Sequence, residues 1–379
     1  MDITDYRKQI DEIDRELLAK LDERMRVAEK IAEYKREKGL RVSDPVRERQ
    51  LLDKITDISK DDMVYYSRMM FNLIIEMSCD HQRKTLGNET ELVGKIRTAL
   101  ENTEKFLPDR AAVACQGVQG AYSQEACDKM FRMPKITYMT NFRGVFDAID
   151  RGVCRYGVLP IENSTAGSVN QVYDLMREYN FYIVKSIKVK IRHCLLVNPG
   201  TSKEDIKEIF SHEQAIAQCE DYLRQFPMAK ITICENTAAA AKILSESGRT
   251  DAAAIASSAS AEAYGLDCFE SGVQDKDNNY TRFICITKNL EIFPGANKTS
   301  IMLVVNHTPG SLYRVLARFN AMSINISKLE SRPIPEREFE FMFYFDIEES
   351  VYSEAFALMI SQLQEMSAEF KYLGSYPEV

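Results

Sequence analysis

The sequence predicts a multidomain fold: an all-α unit, then an α/β unit, then a small α+β unit. Three observations predict it. From Ile3 to Lys38 there is no Pro or Gly, and apolar residues recur at helical spacing through Ile10, Ile13, Leu17, Leu21, Met25, Ala28 and Ile31. From about Ala111, short apolar runs such as "RAAVACQG", "YGVLPIENS", "KVKIRHCLLV", "KITICEN", "DAAAIASS" and "RFICIT" alternate with helical segments and Gly-rich turns. That texture is an α/β domain with largely parallel sheets. After "FPGANKTS" the order is strand, helix, strand, strand, helix, strand, the ferredoxin-like βαββαβ pattern. A chain of 379 residues suits two or three such units.

The expected boundaries are 1–90 for the helical unit, 91–109 for a charged linker, 110–288 for the α/β unit and 299–379 for the last. Gly39 ends the first helix. "DPVRERQLLDKI" restarts one, with Asp44 as N-cap and Pro45 at the first helical position. A third helix is expected from about Asp62 to Lys84.

The composition is that of a soluble globular protein, 45% apolar and 28% charged. A net charge of −8 argues against bulk nucleic-acid binding. There is no apolar run of ~18 residues to span a membrane, and the opening "MDITDYRKQIDEIDRE" lacks the apolar core of a signal peptide. Nine dispersed cysteines without a C-x-x-C read as reduced thiols in the cytoplasm. His81, His193, His212 and His307 lie far apart, so no metal and no cofactor are expected.

The first helix carries a cation where its stripe should be apolar. Ile3, Ile10, Leu17 and Ile31 are spaced by heptads, and Arg24 occupies the same line. Lys35 falls close to that face at ~100° per residue. Arg24 either snorkels to the surface or belongs to a buried anion site. A helix from Ile3 to Lys38 is ~54 Å long at ~1.5 Å per residue, whereas a compact 90-residue domain is ~30 Å across. It must overhang its domain and lie on another chain. Arg7 and Arg24 are ~25 Å apart along the axis, too far to touch one small ligand within a chain; if both serve one site, one of them comes from a partner subunit.

Arg7, Arg24, Lys35, Asp44, Arg47, Glu48, Ser78 in "LIIEMS" and Gln82 together resemble the all-helical chorismate mutase family. The resemblance implies a homodimer or higher homo-oligomer, with Arg7 lent by the second subunit, and chorismate as substrate. Lys35 and Gln82 would sit at the ether oxygen, where negative charge develops in a pericyclic rearrangement. Arg24 and Arg7 would clamp carboxylates, and Glu48 would accept the substrate hydroxyl.

In the middle unit, "GVQGAYS" is a strand-end turn leading into a helix, whose N–H groups could bind an anion. "LPIENSTAGSV" gathers Glu162, Asn163, Ser164, Thr165 and Ser168 in one loop at a strand end, either as caps and solvated polar groups or as ligand contacts. "SHEQAIAQC" places Ser211, Gln214, Ala215 and Gln218 on one helical face, and "ENTAAAAK" reads as a capped helix made for close packing. With "NYTRF" these stretches resemble prephenate dehydratase from about 110 to 287; Val118 departs from the usual Pro. The resemblance implies two α/β lobes, similar to periplasmic binding proteins, with the site between them. Prephenate loses CO2 and a ring hydroxyl. Thr281 would hydrogen-bond the departing oxygen, Arg282 would fix a carboxylate, and Phe283 would line the site. A threonine hydroxyl is too weakly acidic to act alone as the acid, which leaves Glu162 and His212 as rival proton sources.

In the last unit "TPGSLYRVL", with Gly310 and Leu312, and "KLESRP", with Glu330, Ser331, Arg332 and Pro333, resemble the two signatures of a phenylalanine-binding ACT domain. The whole implies a bifunctional enzyme of phenylalanine biosynthesis, converting chorismate to prephenate and prephenate to phenylpyruvate under feedback by phenylalanine. A non-catalytic ligand sensor and a helical DNA-binding regulator are the competing classes. The cation set and "YTRF" oppose the first. Acidic charge and the lack of a recognition-helix pattern oppose the second.

Overall fold

The computed structural model describes residues 2–42, 44–86, 90–335, 337 and 340–379. The chain divides into two units. One comprises the residues up to Val93 with Ala357–Gln362, and the other Gly94–Phe356 with Leu363–Val379.

The first unit is helical. Helix α1 (Ile3–Glu37) opens on a capping box at Asp2 and Asp5 and stops before Gly39, whose φ of 64° suits only glycine. Helix α2 (Pro45–Ile58) starts at Asp44, whose side chain accepts from Arg47 N. Helix α3 (Val64–Leu86) follows a 3-10 turn at Asp61–Met63. Both α1 and α2 lie on α3. Of α1, Ala28 and Ala32 are buried, while Ile3, Ile10, Ile13 and Leu17 are more than half exposed. Part of the predicted linker is helix α4 (Glu91–Asn102).

The second unit holds three sheets. In the first lobe the strands are β1 (Ala112–Gln116), β2 (Lys135–Met139), β3 (Tyr156–Asn163), β4 (Gly167–Ser168), β5 (Tyr182–Lys190) and β11 (Tyr280–Thr287), in the order β2-β1-β3-β11-β5 with β4 on β3. The second lobe has β6 (Cys194–Val197), β7 (Glu208–Ser211), β8 (Lys230–Ile233), β9 (Ala252–Ala256) and β10 (Asp267–Ser271), in the order β10-β6-β9-β7-β8. Helices α5 (Tyr122–Met130), α6 (Phe142–Asp150), α7 (Asn170–Glu178), α8 (Glu213–Ala217), α9 (Glu220–Leu223), α10 (Thr237–Ser247) and α11 (Ser258–Tyr264) connect them.

Two expectations are corrected here. The sheets are mixed rather than largely parallel: β11 runs antiparallel to both β3 and β5, and β6 antiparallel to β9 and β10. The run "KVKIRHCLLV" is also not one strand. It leaves the first sheet after Lys190 and enters the second at Cys194. The chain returns before Tyr280, so two segments, 191–193 and 272–279, join the lobes.

The C-terminal sheet follows the predicted βαββαβ order: β12 (Lys298–Val304), α12 (Ser311–Ala321), β13 (Asn325–Pro333), β14 (Phe341–Glu348), α13 (Glu354–Met366) and β15 (Glu369–Tyr376). Its strands lie as β13-β14-β12-β15, all antiparallel. It shares one core with the first lobe, in which Leu159, Ile161, Val172, Tyr173 and Ile284 meet Met302, Val304, Met342, Tyr344 and Leu373. Gly374, at φ 133°, lets β15 approach so closely that an added Cβ would stand 2.3 Å from Ile183 O. Residues 377–379 then run beside β5, where Ser186 N donates to Pro377 O at 3.1 Å and Val379 N to Ser186 O at 2.9 Å.

Candidate functional site

A cavity of about 520 Å³ opens between the two lobes. Strand ends and helix starts surround it, because that is where backbone groups leave their ladders and side chains become free. Asn163 ends β3. Thr281 and Phe283 project from the same face of β11, and Gln218 closes the short helix α8. Gly117, Ala121, Tyr122 and Ser123 of "GVQGAYS" form another wall, and His212 lines the cavity as well. None of the lining residues is Lys or Arg. Helix α5 has no side-chain cap at Ala121, so its first N–H groups face a site suited to an anion.

The polar centre is tightly bonded. Asn163 Nδ2 donates to Thr281 Oγ1 at 2.9 Å, and Gln218 Nε2 to Thr165 Oγ1 at 3.1 Å. His193, fully buried, places Nε2 3.1 Å from Gln218 Oε1 and Nδ1 3.4 Å from the Tyr122 hydroxyl. Burial lowers the pKa of His193 and favours its neutral form.

Four residues expected in this site lie elsewhere. Arg282 and Glu162 are cross-strand partners on the opposite face of the sheet. Arg282 lies 2.5 Å from Asp346 through Nη2, 3.5 Å from Glu162 through Nε and 3.6 Å from Glu378 through Nη1. Burial, the largest influence, opposes its charge, but Asp346 together with Tyr376 and Tyr173 outweighs it and the net pKa shift is upward. Glu162 in turn takes Lys328 at 2.8 Å. Neither side chain lines the cavity, so the geometry does not support Arg282 as a carboxylate clamp or Glu162 as a proton source. Ser211 ends β7 rather than standing on a helical face, and its buried hydroxyl donates to Ile255 O. Ser164 staples the loop to the next strand, accepting from Tyr280 N and donating to Asn278 O.

Conversely, nothing in the sequence marks His193, which lines the cavity, as a site residue. The start of "ENTAAAAK" also lines the cavity, through Glu235, Asn236 and Thr237. An isolated His between two strands carries no local signal, whereas the Asn cap on an Ala-rich helix was visible and points to a helix start.

In the helical unit, Arg24 reaches across to α3. Its Nη1 donates to Ser78 Oγ and, at 3.3 Å, to Ile74 O. Partial burial lowers its pKa, so this guanidinium is held inward and does not snorkel. Gln82, one turn beyond Ser78, is also buried, and its Oε1 has no hydrogen-bond partner among the described residues. Glu48 of α2 comes within 4.0 Å of Cys79 Sγ on α3. Lys35 donates to Val42 O. Arg7 and Arg47 are exposed, and Asp44 serves as the α2 cap. Arg24, Ser78, Gln82 and Glu48 therefore converge on α3, and Arg7 does not join them within one chain.

In the C-terminal sheet, Gly310 and Leu312 line a separate cavity of about 510 Å³ with Pro309, Tyr313, Phe341 and Phe343. Glu330 and Arg332 are turned the other way. Glu330 accepts from Ser168 Oγ at 2.6 Å, and Arg332 pairs with Asp174 at 2.9 Å. Ser331 and Pro333 lie on the exposed face of β13.

Among the described residues no cluster of His, Cys, Asp and Glu is arranged to hold a metal ion, and no helix is long and apolar enough to cross a membrane. Fold and site thus define an enzyme class in which a cation-bearing helical unit is joined to a two-lobed α/β unit with an amide-lined cleft. The chorismate mutase type II family model matches residues 6–83, and the prephenate dehydratase model matches residues 113–291. A bifunctional chorismate mutase/prephenate dehydratase of Aquifex aeolicus is 31% identical over 100% of this chain and 98% of that protein. An arogenate dehydratase/prephenate dehydratase of Arabidopsis thaliana is 38% identical over 78% of this chain and 80% of its own length. A crystal structure of prephenate dehydratase in complex with L-Phe, from Arthrobacter aurescens, has a TM-score of 0.65 at 27% identity and covers 70% of this chain and 89% of that one. The chain belongs to the family of bifunctional chorismate mutase/prephenate dehydratases.

Glu378 supplies a stability test of the ion cluster behind the cleft. Burial opposes its charge, but hydrogen bonds from Lys298 and Lys188 outweigh this and hold its pKa at about 2. A carboxylate depressed in the folded state stabilises above its unfolded pKa of ~4.3, and that stability is lost as pH falls toward the folded value. Glu378→Gln is expected to cost about 1–3 kcal/mol at pH 7. In denaturant melts the gap to the unaltered protein should narrow steadily below pH 4.5. A gap that is constant with pH would mean that packing, not charge, accounts for the loss.

Proposed function

We propose that the helical unit rearranges chorismate to prephenate, and that the cleft of the second unit converts prephenate to phenylpyruvate. In the first step no nucleophile is required. Arg24 holds a substrate carboxylate, Lys35 and Gln82 stabilise the ether oxygen as its bond breaks, and Glu48 accepts the ring hydroxyl. Arg7, stranded at the far end of a 35-residue helix with an exposed apolar stripe, completes the site of a second copy in a homodimer.

In the second step the electrons of the bond to the departing CO2 move into the ring and expel the ring hydroxyl, which leaves as water once protonated. The observation that carries this reading is Thr281 on the cavity wall, its oxygen already taken by the Asn163 amide. Its own hydrogen is then available to the leaving oxygen. Helix starts and neutral amides, rather than guanidinium groups, receive the carboxylates. Thr281→Ala is expected to lower dehydratase kcat by about 100-fold or more, the usual worth of a donor to developing charge. Thr281→Ser should lose far less, and chorismate turnover should be unchanged in both. Equal loss in Ala and Ser variants would assign the effect to the methyl group.

The shared mutase site is tested by mixing. Arg7→Ala and Arg24→Ala chains, each inactive alone, are expected to regain activity when subunits exchange, because a heterodimer keeps one intact site. Exchange without recovery, followed by mass spectrometry of the mixed dimer, would end that reading.

The C-terminal unit is read as an ACT-type phenylalanine sensor. Gly310 and Leu312 at the start of α12 offer N–H groups and an apolar wall to an amino acid, and the outward face of β13 with Ser331 and Pro333 is open to a second copy. Glu330 connects this unit to Ser168, which itself lines the catalytic cavity. Phenylalanine is expected to inhibit the dehydratase by weakening prephenate binding about 5–150-fold, the range of ordinary coupling, and Leu312→Glu to raise the phenylalanine concentration needed. Unchanged inhibition in that variant would place the effector at the catalytic cleft.

A further inference from the structure

Behind the cavity wall, Asn279 is almost fully buried. It lies in the segment that returns from the second lobe to β11. Both ends of its amide are committed. Oδ1 accepts from Asn163 Nδ2 at 2.8 Å, and Nδ2 donates to Gln218 Oε1 at 2.8 Å.

The direction of every amide in this group follows from two backbone donors. Thr165 N and Ala166 N reach one atom of the Asn163 amide at 3.0 and 2.9 Å, so that atom must be the oxygen. The nitrogen of Asn163 then faces Asn279 and Thr281, and Asn279 must present its own oxygen. Its nitrogen therefore turns to Gln218, which must present Oε1. The Gln218 nitrogen is left for Thr165 Oγ1, and the Thr165 hydroxyl hydrogen goes to Asn163 Oδ1 at 2.7 Å. His193, facing Gln218 Oε1, must carry its hydrogen on Nε2. Thr281 Oγ1 receives a hydrogen from Asn163, and no described residue takes its own.

From this we infer that Asn279 is a positioning residue of the dehydratase. It acts through Asn163 to aim the Thr281 hydroxyl hydrogen into the cavity, and through Gln218 to hold the two lobes in register around the substrate. Without the Asn279 oxygen, Asn163 Nδ2 can turn toward Tyr280 O, already 3.3 Å away. Thr281 would then be free to donate back to protein instead of to the leaving hydroxyl. The inference rests on the reading of Thr281 as the donor, and the test separates the two.

The experiment measures kcat and KM for prephenate in the full chain carrying Asn279→Ala, Asn279→Asp, Thr281→Ala, or Asn279→Ala with Thr281→Ala, with chorismate turnover as the control for folding. Asn279→Ala is expected to lower kcat by about tenfold or more, as for loss of one well-aimed hydrogen bond in a transition state. In the Thr281→Ala background the same change should cost less than about twofold, because the two residues act along one route. Asn279→Asp keeps the acceptor for Asn163 and loses the donor to Gln218. It should retain kcat within about threefold while KM rises. A full second loss in the double variant, or an Asp variant as slow as Ala, would overturn the assignment to Asn279. Normal turnover by Thr281→Ala alone would instead remove the reading of Thr281 on which it rests.

Discussion

Adjacent residues on a β-strand cannot face the same side, and at Thr281 and Arg282 that rule decides how the second unit is built. Strand β11 lies between β3 and β5, so it has a neighbour on either edge and a layer on either face. Thr281 and Phe283 look into the cleft, and Arg282 looks into the C-terminal sheet. A buried guanidinium is tolerated only where carboxylates and hydrogen bonds replace its water. Asp346, Glu378 and Glu162 do this, and each comes from a different part of the chain. The C-terminal sheet is therefore not an appendage. Removing it would leave Arg282 with too few partners one residue from the group on which the chemistry is proposed to turn.

The same layer carries a shared hydrophobic core. Tyr344 stands edge-on to Tyr173 with ring centroids 4.6 Å apart, and Lys371 donates to the carbonyls of Met176 and Arg177 at the end of α7. A cation at a helix C-terminus meets both unsatisfied carbonyls and the negative end of the helix. Docking of this kind ties the C-terminal sheet to the cleft, because the loop that leads into α7, Ala166–Val169, forms part of the cavity wall.

The two proposed sites treat anionic substrates in different ways. The proposed site of the helical unit would bring cations to its substrate, as its rearrangement separates charge without an acid or base. The cleft holds no Lys or Arg among its lining residues and relies on oriented amides, neutral histidine and helix starts. A cation at the departing carboxylate would stabilise the ground state and oppose its loss as CO2. On the proposed reading, a wall without Lys or Arg leaves that carboxylate free to go and keeps the Thr281 donor for the hydroxyl.

Much of this was legible in the sequence, for physical reasons that apply locally. The capping box, Gly39, the Asp44–Pro45 start and the helical spacing of α1 are short-range signals, and the helices formed where these signals stand. The βαββαβ order was likewise readable, as were Asn163, Gln218 and Thr281 as polar residues at strand and helix ends. Direction and facing were not. Whether β11 runs with or against β3 depends on pairings more than 100 residues apart, and the sense of that pairing put Arg282 and Glu162 behind the wall instead of in it. His193 has no motif of its own, and Asn279 opens "NYTRF" without any local sign of its partners; both acquired them only when two crossing segments brought the lobes together. The sequence by itself determined the kinds of element, their order and the chemistry available to them, because these depend on neighbours along the chain. The tertiary structure alone decided which side chains share a space, because alternation along a strand sends neighbours to opposite faces and only long-range pairing says what each face meets.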